Sequence, residues 1–197
     1  MHLLKDPVEA RLLQAALELL AERGYRGATT KEVARRAGVS EVTLFRRFGR
    51  KEALFRRALS SFVPPGFLER LPGEGVSLEE GLMRLLQAYL GLLEAHRALF
   101  LKLLPELLRH PELKEEGPPE GLRAAMERVV GFFRAHQGQG GLREDEPAEE
   151  LALAFLGPLL ARFLLGEVLG VGMPLDPAAY VRGYLEGRYG PRRGSHA

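Results

Sequence analysis

The sequence predicts an all-α chain, with a small N-terminal helix-turn-helix domain and a larger helical domain behind it, about nine helices in all. Three observations predict it. Apolar residues recur with the 3.6-residue period in nearly every segment between breakers, and no segment sustains the alternation of a strand. Capping residues, prolines and glycines stand where helices must start and stop. The composition, 46% hydrophobic and 27% charged over 197 residues, is that of a chain able to bury a core and excludes a disordered tail protein. The absence of cysteine excludes disulfides, thiolate metal sites and cysteine nucleophiles together, and fits a cytoplasmic protein.

The first helix opens at Asp6-Pro7, with Glu9 three residues after the Asp and a proline at the first helical position. Leu13, Ala16, Leu17 and Leu20 make its buried stripe, and Gly24 is expected to end it. Three short helices fill residues 30–63 and stop at Pro64-Pro65. Residues 64–76 are rich in Pro and Gly and read as a connector, which divides the chain into residues 1–63 and 64–197. Ser77-Leu78-Glu79-Glu80 caps the next helix, which runs to about His96 and buries Leu78, Leu82, Leu85, Leu86, Tyr89 and Leu93. Further helices are expected over about 97–109, from the Gly/Pro passage at 117–121 to near His136, over about 147–169, and over about 177–188. The glycine-rich loop at 137–141 lacks the preceding strand and following Lys-Ser/Thr of a phosphate cradle.

The segment Ala28 to Phe48 is the informative one. Thr29 stands three residues before Glu32, a capping box; Gly38 follows Ala37 where a left-handed residue must end the helix; and Ser40 can cap the helix after it. Two short helices joined by a turn with an obligate glycine describe a helix-turn-helix. Small Ala34 permits close packing, and Val33, Val39, Leu44 and Phe48 are apolar at core-compatible positions. On a wheel with Leu44 inward, Val42 and Arg46 fall about 160° away, Thr43 and Phe45 stand on the shoulders, and Glu41 and Arg47 lie about 60° from inward. The outward face of such a second helix enters a major groove, where Arg46 can pair with guanine, Val42 can meet a thymine methyl, and Thr43 can bond a base or a phosphate. Thr29, Thr30, Lys31, Arg47 and Lys51 surround that face and suit phosphate contacts. Charge agrees: residues 1–60 hold 13 Lys/Arg against 7 Asp/Glu, a balance of +6, and residues 61–197 hold 15 against 19, a balance of −4. A basic head on an acidic body points to a polyanion as the head's partner.

Residues about 10–60 resemble the DNA-binding domain of the tetracycline-repressor (TetR) family. The resemblance rests on Ala21-Glu22-Arg23-Gly24-Tyr25, Thr29-Thr30, Val33-Ala34, Ala37-Gly38-Val39-Ser40, Thr43-Leu44-Phe45, Phe48 and Lys51-Glu52-Ala53-Leu54. The rest of the chain resembles it in helix count, in Arg109-His110-Pro111-Glu112-Leu113, and in Gly141-Leu142-Arg143 leading to Pro147. The resemblance implies DNA contacts from Thr29, Thr30, Lys31, Ser40, Glu41, Val42, Thr43, Phe45, Arg46, Arg47 and Lys51. Three departures stand out. Phe45 takes the place of the family's usual Tyr, Arg50 that of a capping residue, and Glu41 puts an acid in the reading helix, where it accepts from cytosine N4, pairs with an Arg, or caps the helix.

The helix over about 147–169 is apolar on all sides, through Leu151, Leu153, Phe155, Leu156, Leu159, Leu160, Phe163, Leu164 and Val168. Such a helix buries one face in its own domain and needs a partner for the other, most simply a second copy, with Phe155, Leu159 and Phe163 as the expected dimer face. Arg162, Glu167 and the Gly157-Pro158 pair interrupt it, so no membrane span is expected. The resemblance implies a homodimer on a palindromic double-stranded operator, probed by a small apolar effector in a region bringing Met83, Tyr89, Phe100, Leu104, Met126, Phe132 and Phe133. No cofactor is expected: His96, His110 and His136 lack ligand spacing, and GxSxG, HExxH, Walker and Rossmann patterns are missing. The alternatives are an enzyme with a site in the helical domain and a sequence-tolerant DNA-packaging protein.

Overall fold

A computed structural model describes residues 6–60, 63–64, 66–113 and 117–189. They form ten α-helices: α1 Pro7–Gly27, α2 Thr30–Ala37, α3 Glu41–Phe48, α4 Lys51–Ser60, α5 Phe67–Arg70, α6 Leu78–Ala95, α7 Arg97–Arg109, α8 Glu120–Gly138, α9 Ala148–Leu169 and α10 Pro177–Tyr189, with a 3₁₀ turn at Pro111–Leu113. The all-α expectation holds. The connector carries a short helix, α5, which its composition did not suggest, and buries Phe67 and Leu71.

The starts and stops follow from local chemistry. Asp6 Oδ1 accepts the Val8 N–H at 2.9 Å, Thr29 Oγ1 that of Glu32 at 3.3 Å, Ser40 Oγ that of Thr43 at 3.2 Å, and Ser77 Oγ that of Glu80 at 3.4 Å. Each satisfies a donor that the first turn of a helix leaves orphaned. Gly38 ends α2 with φ 69° and ψ 38°, and the Gly38 and Val39 amides return to the Arg35 and Ala34 carbonyls. The long run of α1 ends at Gly24 as expected, where the backbone turns non-helical at φ 68° and ψ 173°; one separate turn follows and closes through Ala28 N–H to Gly24 O at 3.0 Å.

The chain groups into two compact units, one of residues 1–65 and 95–124, the other of residues 66–94 and 125–197. In the first, Leu12, Leu19 and Leu20 of α1, Val33 of α2, Leu44 of α3, Leu54 and Phe55 of α4 and Leu103 of α7 share one core. Leu44 is the sole fully buried residue of α3, and half-buried Phe48 packs against the same core, so these two fix which face of that helix looks outward. In the second, Leu82, Leu85 and Leu86 of α6, Val129, Phe132 and Phe133 of α8, Leu151, Phe155 and Leu159 of α9 and Val181 of α10 are buried. Four aromatic rings meet there: Phe155 stands edge-on to Tyr180 and Tyr184 at 5.4 and 5.0 Å, and Phe133 edge-on to Tyr184 at 6.4 Å. Among the described helices, α9 alone has the length and apolar character that a membrane span needs, and its Phe155 side packs inside this unit.

Candidate nucleic-acid interface

With Leu44 turned in, α3 presents Val42, Phe45 and Arg46 to the outside; Val42 is 77% exposed and Phe45 43%. Thr43 lies beside them, half-buried, with its hydroxyl 2.9 Å from that of the capping Ser40. Thr29 and Lys31 are exposed at the start of α2, next in line to this face. The wheel expectation for Val42 and Arg46 therefore matches their placement, and Phe45 stands further out than a shoulder position implies.

Besides the capping Thr29 and Ser40, four more of the residues expected at this surface are engaged by the protein itself. Thr30 Oγ1 donates to Glu41 Oε1 at 2.6 Å, which ties the first turn of α2 to the first turn of α3. The acid in the reading helix thus has a hydroxyl partner, in addition to standing where the helix dipole favours a negative charge. Arg47 is ion-paired with Asp6, so the residue that caps α1 also holds the flank of α3. Lys51 Nζ donates to the Tyr25 carbonyl at 2.6 Å and lies over the Tyr25 ring, 4.4 Å from its centre. Burial pushes the Lys51 ammonium below its ordinary range, against the pull of Glu52 and Glu112.

Behind the surface is a polar cluster around Tyr25, which the sequence reading did not assemble. The Tyr25 N–H, left free by the break at Gly24, donates to Glu106 Oε2 of α7 at 2.5 Å, and the Tyr25 hydroxyl donates to Glu52 Oε1 of α4 at 2.9 Å. Burial, and then the Glu52 carboxylate, hold the phenol above its ordinary range. The His110 ring lies 4.9 Å from the Tyr25 ring, its Nδ1 3.0 Å from Glu112 and its Nε2 3.6 Å from Glu106. The local signal was the glycine break followed by an aromatic; the partners lie 27 and 81 residues downstream, out of reach of any local pattern. On the outer side of α2, Glu32 receives two hydrogen bonds from Arg35, at 2.6 and 2.9 Å, which bring its carboxyl down to about 2.

Two capped eight-residue helices on a common core, joined by a left-handed glycine, with the second showing an outward apolar and cationic face, make a helix-turn-helix built to enter a groove. Residues 12–58 match the family model described as bacterial regulatory proteins, tetR family. Residues 12–58 form a tetR-family DNA-binding domain. Over 54 residues the chain is 50% identical to the HTH-type transcriptional regulator YvkB of Bacillus subtilis, a match covering 27% of the chain and 29% of YvkB. It is similar over nearly its whole length to two solved structures. Salmonella enterica GusR has 25% identity and a TM-score of 0.69, with 94% of this chain and 97% of that one covered. FadR from Bacillus subtilis, in complex with stearoyl-CoA, has 20% identity and a TM-score of 0.65, with 90% and 95% covered. By sequence alone, the chain spans between 29% and 56% of the length of the curated relatives it matches.

The remaining expected residues lie outside the tetR-family domain and are placed as follows. Phe155 and Leu159 are buried within the chain's own second unit, at 0% and 1% exposure, so neither is available to a second copy and their assignment to a dimer face is corrected; Phe163 is half-buried. A helix that is apolar all round offers no contrast from which to tell its inner face from its outer one. Of the residues named for the effector, Phe100 and Leu104 lie on α7 in the first unit, half-buried. In the second unit Met83 and Tyr89 are half-buried on α6, Phe132 and Phe133 are buried, and Met126 is 53% exposed. Burial pushes the Tyr89 phenol up to about 12.

Proposed function

We propose that the chain is a ligand-responsive transcriptional repressor, which binds a palindromic operator in double-stranded DNA as a homodimer. The observation that carries this reading is the outward face of α3, where Val42, Phe45 and Arg46 stand exposed on a helix capped at both ends and fixed by Leu44. Arg46 is assigned to a guanine edge, Thr43 to a base or a phosphate, and Thr29 and Lys31 to phosphates. Ser40, Thr30, Glu41, Arg47 and Lys51 belong to the same surface chiefly as the residues that hold it in shape. Residues 1–63 carry the reading function, and residues 64–197 the sensing and pairing functions.

Pairing is assigned to the exposed apolar residues of α9: Leu153 and Val168, 62% and 80% exposed, fall on the side away from Phe155, and Leu165 and Leu169, 49% and 61% exposed, extend the apolar surface at the last turns; a second copy that covers them brings two reading helices to one side of the duplex. An effector in the second unit is assigned to the neighbourhood of Met83 and Tyr89; the acyl-CoA seen with FadR supports an apolar one. It acts by favouring one spacing of the two heads, since a ligand with equal affinity for both would shift nothing. A DNA-binding domain of a family of regulatory proteins favours this reading over a catalytic one, and a cytoplasmic location follows from the DNA partner. Selection of duplexes from a random pool with the purified protein, followed by footprinting, tests the proposal. An inverted repeat with half-sites about one helical turn apart or more is expected; binding of all duplexes alike would instead identify a packaging protein.

A further inference from the structure

We propose that Val42 and Phe45 together form a reader of 5-methylpyrimidine, so that operator choice depends on thymine methyl groups beside the base pair taken by Arg46. The inference rests on the operator reading above and goes further by naming what the surface recognises. Val42 and Phe45 are three residues apart in α3, one turn, and hence neighbours on one face. They are 77% and 43% exposed while the inward side of the helix is closed by Leu44. Neither side chain has a folding reason to point into water, and the next outward residue, Arg46, marks the same face as the one that meets DNA.

The chemistry selects the occupant. In the major groove thymine shows one methyl group, cytosine none, and the purines only polar edges at that level. An apolar pair is therefore indifferent to most base pairs and gains only where it can cover a methyl. A tyrosine at position 45 would carry a hydroxyl able to reach a phosphate; phenylalanine keeps the ring and has no such partner, which leaves apolar contact as the ring's use. 5-Methylcytosine offers the same methyl group in the same place as thymine, so the shared chemistry is the 5-methyl of a pyrimidine, and thymine is its source in unmodified DNA.

The test uses the full-length protein and the operator that the selection yields. Each thymine of one half-site is replaced in turn by deoxyuridine, which removes the methyl and nothing else, and binding is measured by fluorescence anisotropy at fixed salt. At one or two positions the wild-type protein is expected to lose about fourfold in affinity per methyl. Val42→Ala and Phe45→Ala each lose affinity for the parent operator but no longer distinguish uridine from thymine at the position they cover. Phe45→Tyr retains the ring and the distinction. Replacing the sensitive pair by 5-methylcytosine·guanine binds better than cytosine·guanine at the same place if the methyl is what is read. A selected operator whose uridine derivatives all bind like the parent, or a uridine penalty that persists in both alanine variants, overturns the methyl reader while leaving the operator reading in place. Failure to select any preferred sequence overturns both.

Discussion

At the scale of single residues, the surface of α3 separates side chains that read from side chains that hold. Arg46 is exposed on the outward face, so Arg46→Ala is expected to cost roughly 1–3 kcal/mol on the operator and to relax preference at one position per half-site. An equal loss on random DNA would show that it meets only phosphate. Lys51 differs, because its ammonium is bonded to the Tyr25 carbonyl and lies over the Tyr25 ring. Lys51→Ala is expected to lower stability by about 1–2 kcal/mol, seen as a lower melting temperature without DNA, with any loss of binding shared by all sequences. Glu41 accepts from Thr30, and glutamine still offers that oxygen. Glu41→Gln should therefore leave the preferred site unchanged, whereas Glu41→Ala unties α2 from α3 and weakens operator binding; a new preferred base with Glu41→Gln in site selection would make it a base reader. Glu32 sets a pH dependence. Its folded value of about 2 lies below the ordinary 4.5, so its stabilising effect is fully present above about 4.5 and is lost as pH falls toward 2. Thermal melts from pH 6 to pH 2 should show this fall, reduced in Glu32→Gln.

At the scale of elements, the sequence was most legible where one residue decides one helix end. Asp6, Thr29, Ser40 and Ser77 all cap as their positions require, and Gly38 is left-handed as a two-helix turn demands. It was least legible where the deciding partner is remote or the pattern is symmetric. Gly24 reads locally as a stop and is one, but the turn after it is tied to Glu106 of α7 through the Tyr25 N–H, and no spacing rule links residues 25 and 106. The pairing of Arg47 with Asp6 and of Lys51 with Tyr25 was hidden for the same reason. In α9 the difficulty was the opposite: apolar residues on every side leave no contrast from which to tell core from partner face. The Gly24 break yields a direct prediction. Its φ of 68° with ψ of 173° is a conformation that only glycine adopts easily, and a Cβ there would lie 2.9 Å from Glu106 Oε2. Gly24→Ala should cost about 2 kcal/mol or more, read as a lower denaturation midpoint, with the loss focused on amides at the end of α1 in hydrogen exchange. Unchanged protection at Tyr25 would mean that the Glu106 contact does not hold this end.

At the scale of the whole molecule, the two sides of α9 make opposite predictions, and the contrast tests the proposed dimer without confusing it with folding. Phe155 is fully buried against Tyr180 and Tyr184, and the Tyr184 hydroxyl donates to the Leu151 carbonyl at 2.9 Å. Phe155→Ala should therefore remove about 3–5 kcal/mol from the stability of each chain, whatever its oligomeric state. Val168 is 80% exposed on one chain, so Val168→Asp costs the isolated fold only the roughly 0.3–1 kcal/mol of an acid in the last turn of a helix. In a dimer it would place an unpaired carboxylate in an apolar interface, a cost of several kcal/mol. The wild-type protein is expected to sediment as a dimer at micromolar concentration and Val168→Asp as a monomer with an unchanged helical spectrum. Operator binding should fall with the dimer, because one reading helix covers only a short stretch of groove and half of the inverted repeat would go unread. If Val168→Asp remains dimeric and binds as before, the second copy sits elsewhere, and the exposed leucines of α9 need another partner.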